Sequence, residues 1–378
     1  MTMKVGVIGC GNISDVYLIN AKRFRDIVVT ACADLRPEAA RRQAERYGVS
    51  ALSVDELLKS EDVDIVLNLT VPDAHADVSM QAIDAGKHVY SEKPLAIRVA
   101  DGEQILASAR ARGVRVGCAP DTVLGAGYQE ARTLIDAGAI GRPLTGFASI
   151  LSHGMEHWHP NPAFFFKPGG GPLFDMGPYY LSALVTLLGP VAEVQAVGQI
   201  GFAERLVTTP GSAMLGQKIK VETFTSVQAL LSFASGAQAT FLASWDVWRH
   251  GAPSIELHGE TGSMRLPDPN FFAGDISIAT GREDWRRHDV EHRTFGAANW
   301  PERNPVVSNY RGLGLADMAR AILDKRPHRA SGDFALHVLA IMEGVLLAAT
   351  EGKTIAVAAA GKRPTALSSD EGAGLLKI

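Results

Sequence analysis

Residues 4–14 read KVGVIGCGNIS. A run of β-branched and small apolar residues ends at Gly9, a second glycine stands at 11, and Asn12, Ile13 and Ser14 lead into polar, helix-like sequence. A glycine at the first position lets a strand turn sharply, and one at the second lets the backbone approach a pyrophosphate resting on the free amides of a helix N-terminus. Serine replaces the third glycine, and its small side chain still lets helix and strand pack closely. Asp34 follows 20 residues after Ser14, at the end of the next apolar run, where a carboxylate accepts hydrogen bonds from both ribose hydroxyls and repels a 2′-phosphate. Gly9, Gly11, Asn12, Ile13, Ser14 and Asp34 are therefore the expected dinucleotide contacts, with NAD favoured over NADP. Arg36 keeps NADP open, because a guanidinium there can pair with a phosphate. The plain alternative is a glycine turn with no ligand.

Outward from this loop the pattern repeats. IVVTACAD, DIVLNL, KHVYSE and VRVGCAP are short strand-like runs, separated by the amphipathic segments PEAARRQAERYG, SVDELLKS and DGEQILASARARG. Alternation of this kind predicts an α/β fold: a doubly wound parallel sheet of Rossmann type with helices on both faces. After Asp121 the alternation stops. A helix capped by Gly138 precedes strand-like runs at 144–151, 191–200, 219–234 and 237–245, the last two joined by a Ser235-Gly236 turn. The expected organisation is a Rossmann domain over 1–122 and an α+β domain over 123–378, the latter built on a large, mostly antiparallel open sheet. Residues 267–305 show little period and read as a long excursion.

Composition narrows the partners. The 378 residues carry 37 basic and 41 acidic side chains, a net charge of −4, with no Lys/Arg block to track phosphates, so nucleic acid is not expected. No signal peptide and no membrane-spanning apolar run are read, so a cytoplasmic location is expected. The three cysteines, 10, 32 and 118, lie in apolar runs and read as buried thiols.

Two further stretches, TVPDAH (70–75) and KHVYSEKP (87–94), follow the glycine loop in order, and GGGPLFDMGPYYL (169–181) and SGDFALHVLAIMEG (331–344) come later. With these the chain resembles the glucose–fructose oxidoreductase/inositol dehydrogenase family. That resemblance implies that Lys93, of the Glu92-Lys93-Pro94 element, lies beside the nicotinamide and the substrate hydroxyl, and that Asp175 and Tyr179 face it across a cleft. It also places Thr70, Pro72 and His75 along the cofactor cleft, and implies a homo-oligomer, dimer or tetramer, formed through the open sheet. Many members carry histidine where Tyr179 stands, which separates this chain from the inositol dehydrogenases in substrate though not in reaction type.

Asp175 reads as the N-cap of a helix starting near Met176, and its i+4 spacing to Tyr179 puts both side chains on one face. Tyr180 points away and reads as packing. A free phenol is a poor base at neutral pH, but an ammonium within about 4 to 6 Å favours its anion. The expected reaction is hydride transfer between NAD and a secondary hydroxyl or ketone of a sugar, cyclic polyol or sugar derivative. Lys93, Asp175 and Tyr179 are the expected catalytic residues. Trp158, His159 and Lys167, in the aromatic loop 152–171, are expected with them as substrate contacts, and no metal is expected. A zinc site on His153, His157 and His159 is the alternative for that loop. Arg311, in SNYRGLG (308–314), reads as a solvated surface charge. Two other functions stay open by resemblance: a glycosidase working through transient oxidation by bound NAD, and a non-catalytic dinucleotide-binding regulator of sugar pathways.

Overall fold

The computed structural model describes residues 2–301, 306–358 and 361–377. Strands β1 (Met3–Ile8), β2 (Ile27–Ala33), β3 (Ser50–Ala51), β4 (Ile65–Asn68), β5 (His88–Ser91) and β6 (Val116–Cys118) form one parallel sheet in the order β3-β2-β1-β4-β5-β6. Helices α1 (Ser14–Ala21), α2 (Pro37–Tyr47), α3 (Val54–Lys59), α4 (His75–Asp84) and α5 (Val99–Arg112) connect them. Helices on both faces bury a parallel strand on both sides, which is why β4 is an unbroken buried run, Ile-Val-Leu-Asn. Local chemistry sets the helix ends: Pro37 opens α2, and Ser53 and Glu56 form a reciprocal capping box on α3.

Beyond α6 (Ala126–Asp136) the chain builds a nine-stranded mixed sheet. Its strands are β7 (Pro143–Leu151), β8 (Val191–Gln199), β11 (Ser226–Phe233), β12 (Gln238–Ser244), β13 (Ile255–Gly259), β14 (Gly262–Leu266), β15 (Ile276–Thr280), β16 (Arg286–His288) and β17 (Ile355–Ala356). The order is β16-β15-β14-β13-β7-β12-β11-β8-β17, and only the β7–β12 pair is parallel. A small hairpin, β9 (Glu204–Leu206) and β10 (Lys218–Lys220), stands apart. Val227, Ala229, Leu231 and Phe233 of β11 are buried while Leu230 is 56% exposed, the period-two signature of a sheet covered on one face. Helices α8 (Gly177–Leu188) and α10 (Gly332–Glu351) supply that cover.

Two expectations need correction. The run 219–234 is not one strand: it breaks between β10 and β11, where the Thr225 hydroxyl donates to Asp246 Oδ2 (2.7 Å) and accepts from the Gly201 amide (2.9 Å). Side-chain bonds thus replace the ladder as the chain crosses from hairpin to sheet. The stretch 267–305 is no bare excursion either, since β15 and β16 extend the sheet edge; residues 302–305 lie outside the described residues.

The chain then returns to its first sheet. Helix α9 (Leu313–Leu323) and α10 pack on β6, and the Cys118 amide donates to Ala330 O (3.0 Å). α10 is long and apolar enough to span a membrane by length, but 67% of its most apolar window is buried between α5, α8 and β8, as in a core helix. The last helix, α11 (Ser369–Leu375), packs on α9.

Candidate active site

The front of the site is the C-terminal edge of the parallel sheet. Gly9 adopts φ +101°, and a Cβ there would meet the Leu69 carbonyl at 2.6 Å and the Thr70 amide nitrogen at 2.8 Å. The glycine loop therefore lies directly against the β4 loop, at the strand-order reversal where doubly wound folds bind nucleotides. The amides of Gly11, Asn12 and Ile13 donate no hydrogen bond among the described residues, these three residues are exposed, and a Cβ on Gly11 would meet nothing within 4 Å. Unspent amides at the start of α1 beside an open approach fit a pyrophosphate. Asp34 stands at the end of β2, aligned by the amides of Cys10 (2.8 Å) and Arg36 (2.9 Å), with Arg36 Nε 3.6 Å from its Oδ1. Its remaining lone pairs suit ribose hydroxyls. These residues fit the dinucleotide that the loop predicts.

Two of the expected cofactor contacts act from behind instead. Ser14 is fully buried: its hydroxyl donates to Gly11 O (2.6 Å) and accepts from Gln43 (2.9 Å), so it packs the helix onto the loop rather than reaching a ligand. His75 is 1% exposed, with Nδ1 2.7 Å from Pro94 O and Nε2 3.0 Å from Thr70 O, and burial holds its pKa below the usual range. Both ring nitrogens face backbone carbonyls, and the neutral ring, with its single N–H, donates to one of them; the ring sits between the β4 loop and the Lys93-Pro94 peptide, which is cis. Thr70 and Pro72 stay half-buried at the loop, with the Thr70 hydroxyl donating to Asn68 Oδ1 (2.7 Å). Glu92 is 8% exposed and accepts from the Tyr17 hydroxyl of α1 (2.8 Å) and the Lys93 amide (2.9 Å). Lys93 is thus fixed at its backbone from two sides.

The rear of the site comes from the triple glycine and the helices that follow. A Cβ on Gly170 would meet Phe165 O at 2.5 Å. On Gly171, at φ +76°, it would meet Phe224 O at 2.8 Å, and on Gly169 it would meet Ile97 at 3.2 Å. The glycines let this segment press against the chain just past Lys93. Helix α7 (Gly171–Asp175) starts at once, so Asp175 is the last residue of one short helix and not the N-cap of the next; Met176, in helical conformation, occupies that junction without a side-chain cap. Freed from capping, the carboxylate turns to the cleft. The Lys93 ammonium donates to Asp175 Oδ1 (3.0 Å) and to the Asp175 carbonyl, and lies 5.2 Å from the Tyr179 ring centroid. Burial works against the Lys93 charge, but Asp175, Tyr179 and Glu92 outweigh it and hold the pKa above the ordinary lysine value. Lys93 is therefore an ammonium at neutral pH, able to donate a hydrogen bond but not to take a proton. Tyr179, 7% exposed, is left as the acceptor beside it.

The other expected substrate contacts, Trp158, His159 and Lys167, make no contact with this trio. His159 packs edge-on against Trp158, Phe164 and Phe165; Trp158 is 56% exposed; Lys167 is exposed. None of the three bonds to or stacks on Lys93, Asp175 or Tyr179, because the aromatic loop folds on itself and on the hairpin, where Thr209 holds the His159 carbonyl (3.0 Å). His153 stacks on Trp248 at 3.3 Å, and among the described residues no three metal-binding side chains gather. Tyr180 packs away from the cleft, its hydroxyl 3.3 Å from Asp268 Oδ1. Arg311 departs from its reading as a solvated surface charge: it is half-buried, and its guanidinium donates to Asn309 Oδ1 (3.2 Å) and Asn270 Oδ1 (2.8 Å). Only the paired glycines after it hint at this, since Gly312 and Gly314 donate their amides to the buried Asp121 (2.9 and 3.0 Å) and draw the segment inward.

Residues 3–119 match the oxidoreductase family with an NAD-binding Rossmann fold, and residues 128–265 match the GFO/IDH/MocA C-terminal domain. The chain is 34% identical over 269 residues to a dTDP-3,4-didehydro-2,6-dideoxy-alpha-D-glucose 3-reductase of Streptomyces violaceoruber, covering 70% of this chain and 72% of that protein. It is 26% identical over 238 residues to a myo-inositol 2-dehydrogenase of Thermotoga maritima, covering 62% and 66%. The fold matches levoglucosan dehydrogenase, solved with NADH and L-sorbose, at a TM-score of 0.79 and 21% identity over 95% of this chain and 99% of that one. The glycine loop, the Glu92-Lys93-Pro94 element and the sheet behind Tyr179 thus have one common origin: the chain belongs to the GFO/IDH/MocA family of NAD-binding oxidoreductases.

Proposed function

We propose that this oxidoreductase transfers hydride between NAD and the carbon bearing a secondary hydroxyl, or the matching ketone, of a sugar, cyclic polyol or sugar derivative. The observation that carries the reading is the meeting of Lys93 with Asp175 at 3.0 Å and with the Tyr179 ring at 5.2 Å, across a cleft whose front edge fits a dinucleotide. Bound NAD supplies the hydride acceptor, or in its reduced form the donor. The chain supplies the rest: Lys93 donates a hydrogen bond to the reacting oxygen, Asp175 holds the ammonium in place, and Tyr179 takes the hydroxyl proton or returns it. The names of the reductase and dehydrogenase relatives support a sugar or polyol substrate.

The test is a screen of monosaccharides, inositols and anhydrosugars with NAD and NADP, followed at the nicotinamide absorbance. At least one polyol should reduce NAD stoichiometrically. No turnover with any of them contradicts the reading, and glycoside cleavage without net NAD reduction marks the transient-oxidation chemistry instead. Self-association through the large sheet is part of the proposal, supported by Val197 and Leu230, 65% and 56% exposed on its uncovered face. A reducing, cytoplasmic setting is supported by three buried free thiols.

A further inference from the structure

We infer that Tyr17 is a positioning residue for the reaction: through Glu92 it ties helix α1, whose N-terminus fits the dinucleotide, to the main chain of Lys93. The inference rests on the role proposed for Lys93. Tyr17 lies in the first turn of α1 and is 2% exposed. Its hydroxyl donates to Glu92 Oε1 at 2.8 Å, and Glu92 Oε2 accepts from the Lys93 amide at 2.9 Å. One carboxylate thus divides its two oxygens between the cofactor helix and Lys93. The flanking backbone is held by other elements: the Glu92 amide donates to Asn68 O (2.8 Å), and Pro94 O lies 2.7 Å from His75 Nδ1. Lys93 stands between these anchors, and its own amide is held by the one that starts on α1.

The other buried glutamates of this fold show how a carboxylate out of water is usually kept. Glu130 meets His288 and Arg293, and Glu156 meets Arg205. Glu92 has no lysine, arginine or histidine within ion-pair distance among the described residues, and its side chain is held by two neutral donors, the Tyr17 hydroxyl and the Lys93 amide. A buried carboxylate held in this way is strongly destabilised when one donor is removed, because no water replaces it. The group is rigid, so an oxygen that turns to find a new donor carries the other away from the Lys93 amide. Burial, together with the Glu92 charge, keeps the Tyr17 phenol well above its usual range, so it remains a donor. A bond that served packing alone could end on any buried acceptor. This one starts on the helix whose preceding amides, at Gly11, Asn12 and Ile13, are left open, and ends beside the residue whose ammonium must meet Asp175 and Tyr179. Lys93 Nζ stands at the end of a long side chain, so a small shift of the main chain misplaces it against the reacting oxygen.

Tyr17→Phe keeps the ring and removes only the oxygen. With the polyol that the screen identifies, it should lower kcat by about 10- to 100-fold while substrate KM and NAD affinity stay within about threefold. In a Lys93→Met background the same change should cost less than about twofold, because no ammonium is left to position. Glu92→Gln should reproduce the loss, since its amide oxygen can serve one donor while its NH2 group opposes the other. A further readout needs no substrate: hydrogen exchange at the Lys93 amide, followed by fragmentation mass spectrometry, should quicken by about tenfold or more in Tyr17→Phe while the amides of β1 and β4 keep their wild-type rates. Unchanged kcat in Tyr17→Phe overturns the inference, as does a penalty retained in full beside Lys93→Met, or unaltered exchange at Lys93. If Tyr17→Phe does not fold, Glu92→Gln decides by the same measurements. Failure of wild type to turn over any polyol would defeat the proposed function, while the exchange rate would still decide whether Tyr17 holds Lys93.

Discussion

The front and rear of the cleft are built on different principles. At the front, the glycine loop, Asp34, the Thr70–Pro72 turn and Lys93 follow the ends of successive parallel strands, so chain order and spatial order run together. At the rear, Asp175 and Tyr179 straddle a helix junction, and Asp175 meets Lys93 from far along the chain. A fold that repeats one connection places its chemistry predictably. A fold that closes by long-range contacts does not.

The largest expected effect treats the two halves as one device. Lys93→Met, at the front, and Tyr179→Phe, at the rear, should each lower kcat by about 10²- to 10⁴-fold while NAD affinity, measured by titration, stays within about twofold. A loss confined to one half would break the comparison. Next, Gly171→Ala should cost about 2 kcal/mol of stability in denaturant unfolding, since its backbone is left-handed and the new Cβ would meet Phe224 O at 2.8 Å. Gly11→Ala, with open space around the new Cβ, should cost much less stability but weaken NAD binding, which separates structural from ligand-facing glycines. Asp34→Ala should weaken NAD by about tenfold, ~1.4 kcal/mol, and raise the relative affinity for NADP by freeing Arg36.

The smallest effect concerns the Asp121 anchor. Burial pushes its carboxyl up to about 6, against the pull of Gly314, Arg311 and Gly312. A folded pKa above the unfolded one, about 4, means the group favours folding below about pH 4 and loses that contribution as pH rises through about 6. The stability difference between wild type and Asp121→Asn should shift by on the order of 1 kcal/mol across that window and be flat outside it.

The parallel sheet, the glycine loop and Asp34 were legible because periodicity and a local motif carry them. The convergence of Lys93, Asp175 and Tyr179 was legible only through resemblance to a family, since nothing local links residue 93 to residue 175. Asp175 was misread as a cap because the glycine run conceals that a helix already begins at Gly171. Trp158, His159 and Lys167 have the composition of a sugar site, but the loop spends its aromatic rings on itself. Arg311 was missed because its burial is set from far along the chain: its guanidinium reaches Asn270, 41 residues away, and Asp121, 191 residues from Gly312, anchors the amide that follows it.

The central claim, that Lys93 and Tyr179 form one proton-transfer unit across the cleft, is tested most directly by a double-mutant cycle on kcat/KM with Lys93→Met and Tyr179→Phe. If the pair acts together, the double variant should be no worse than the poorer single variant by more than about threefold. Penalties that multiply in full would show two independent residues and contradict the account.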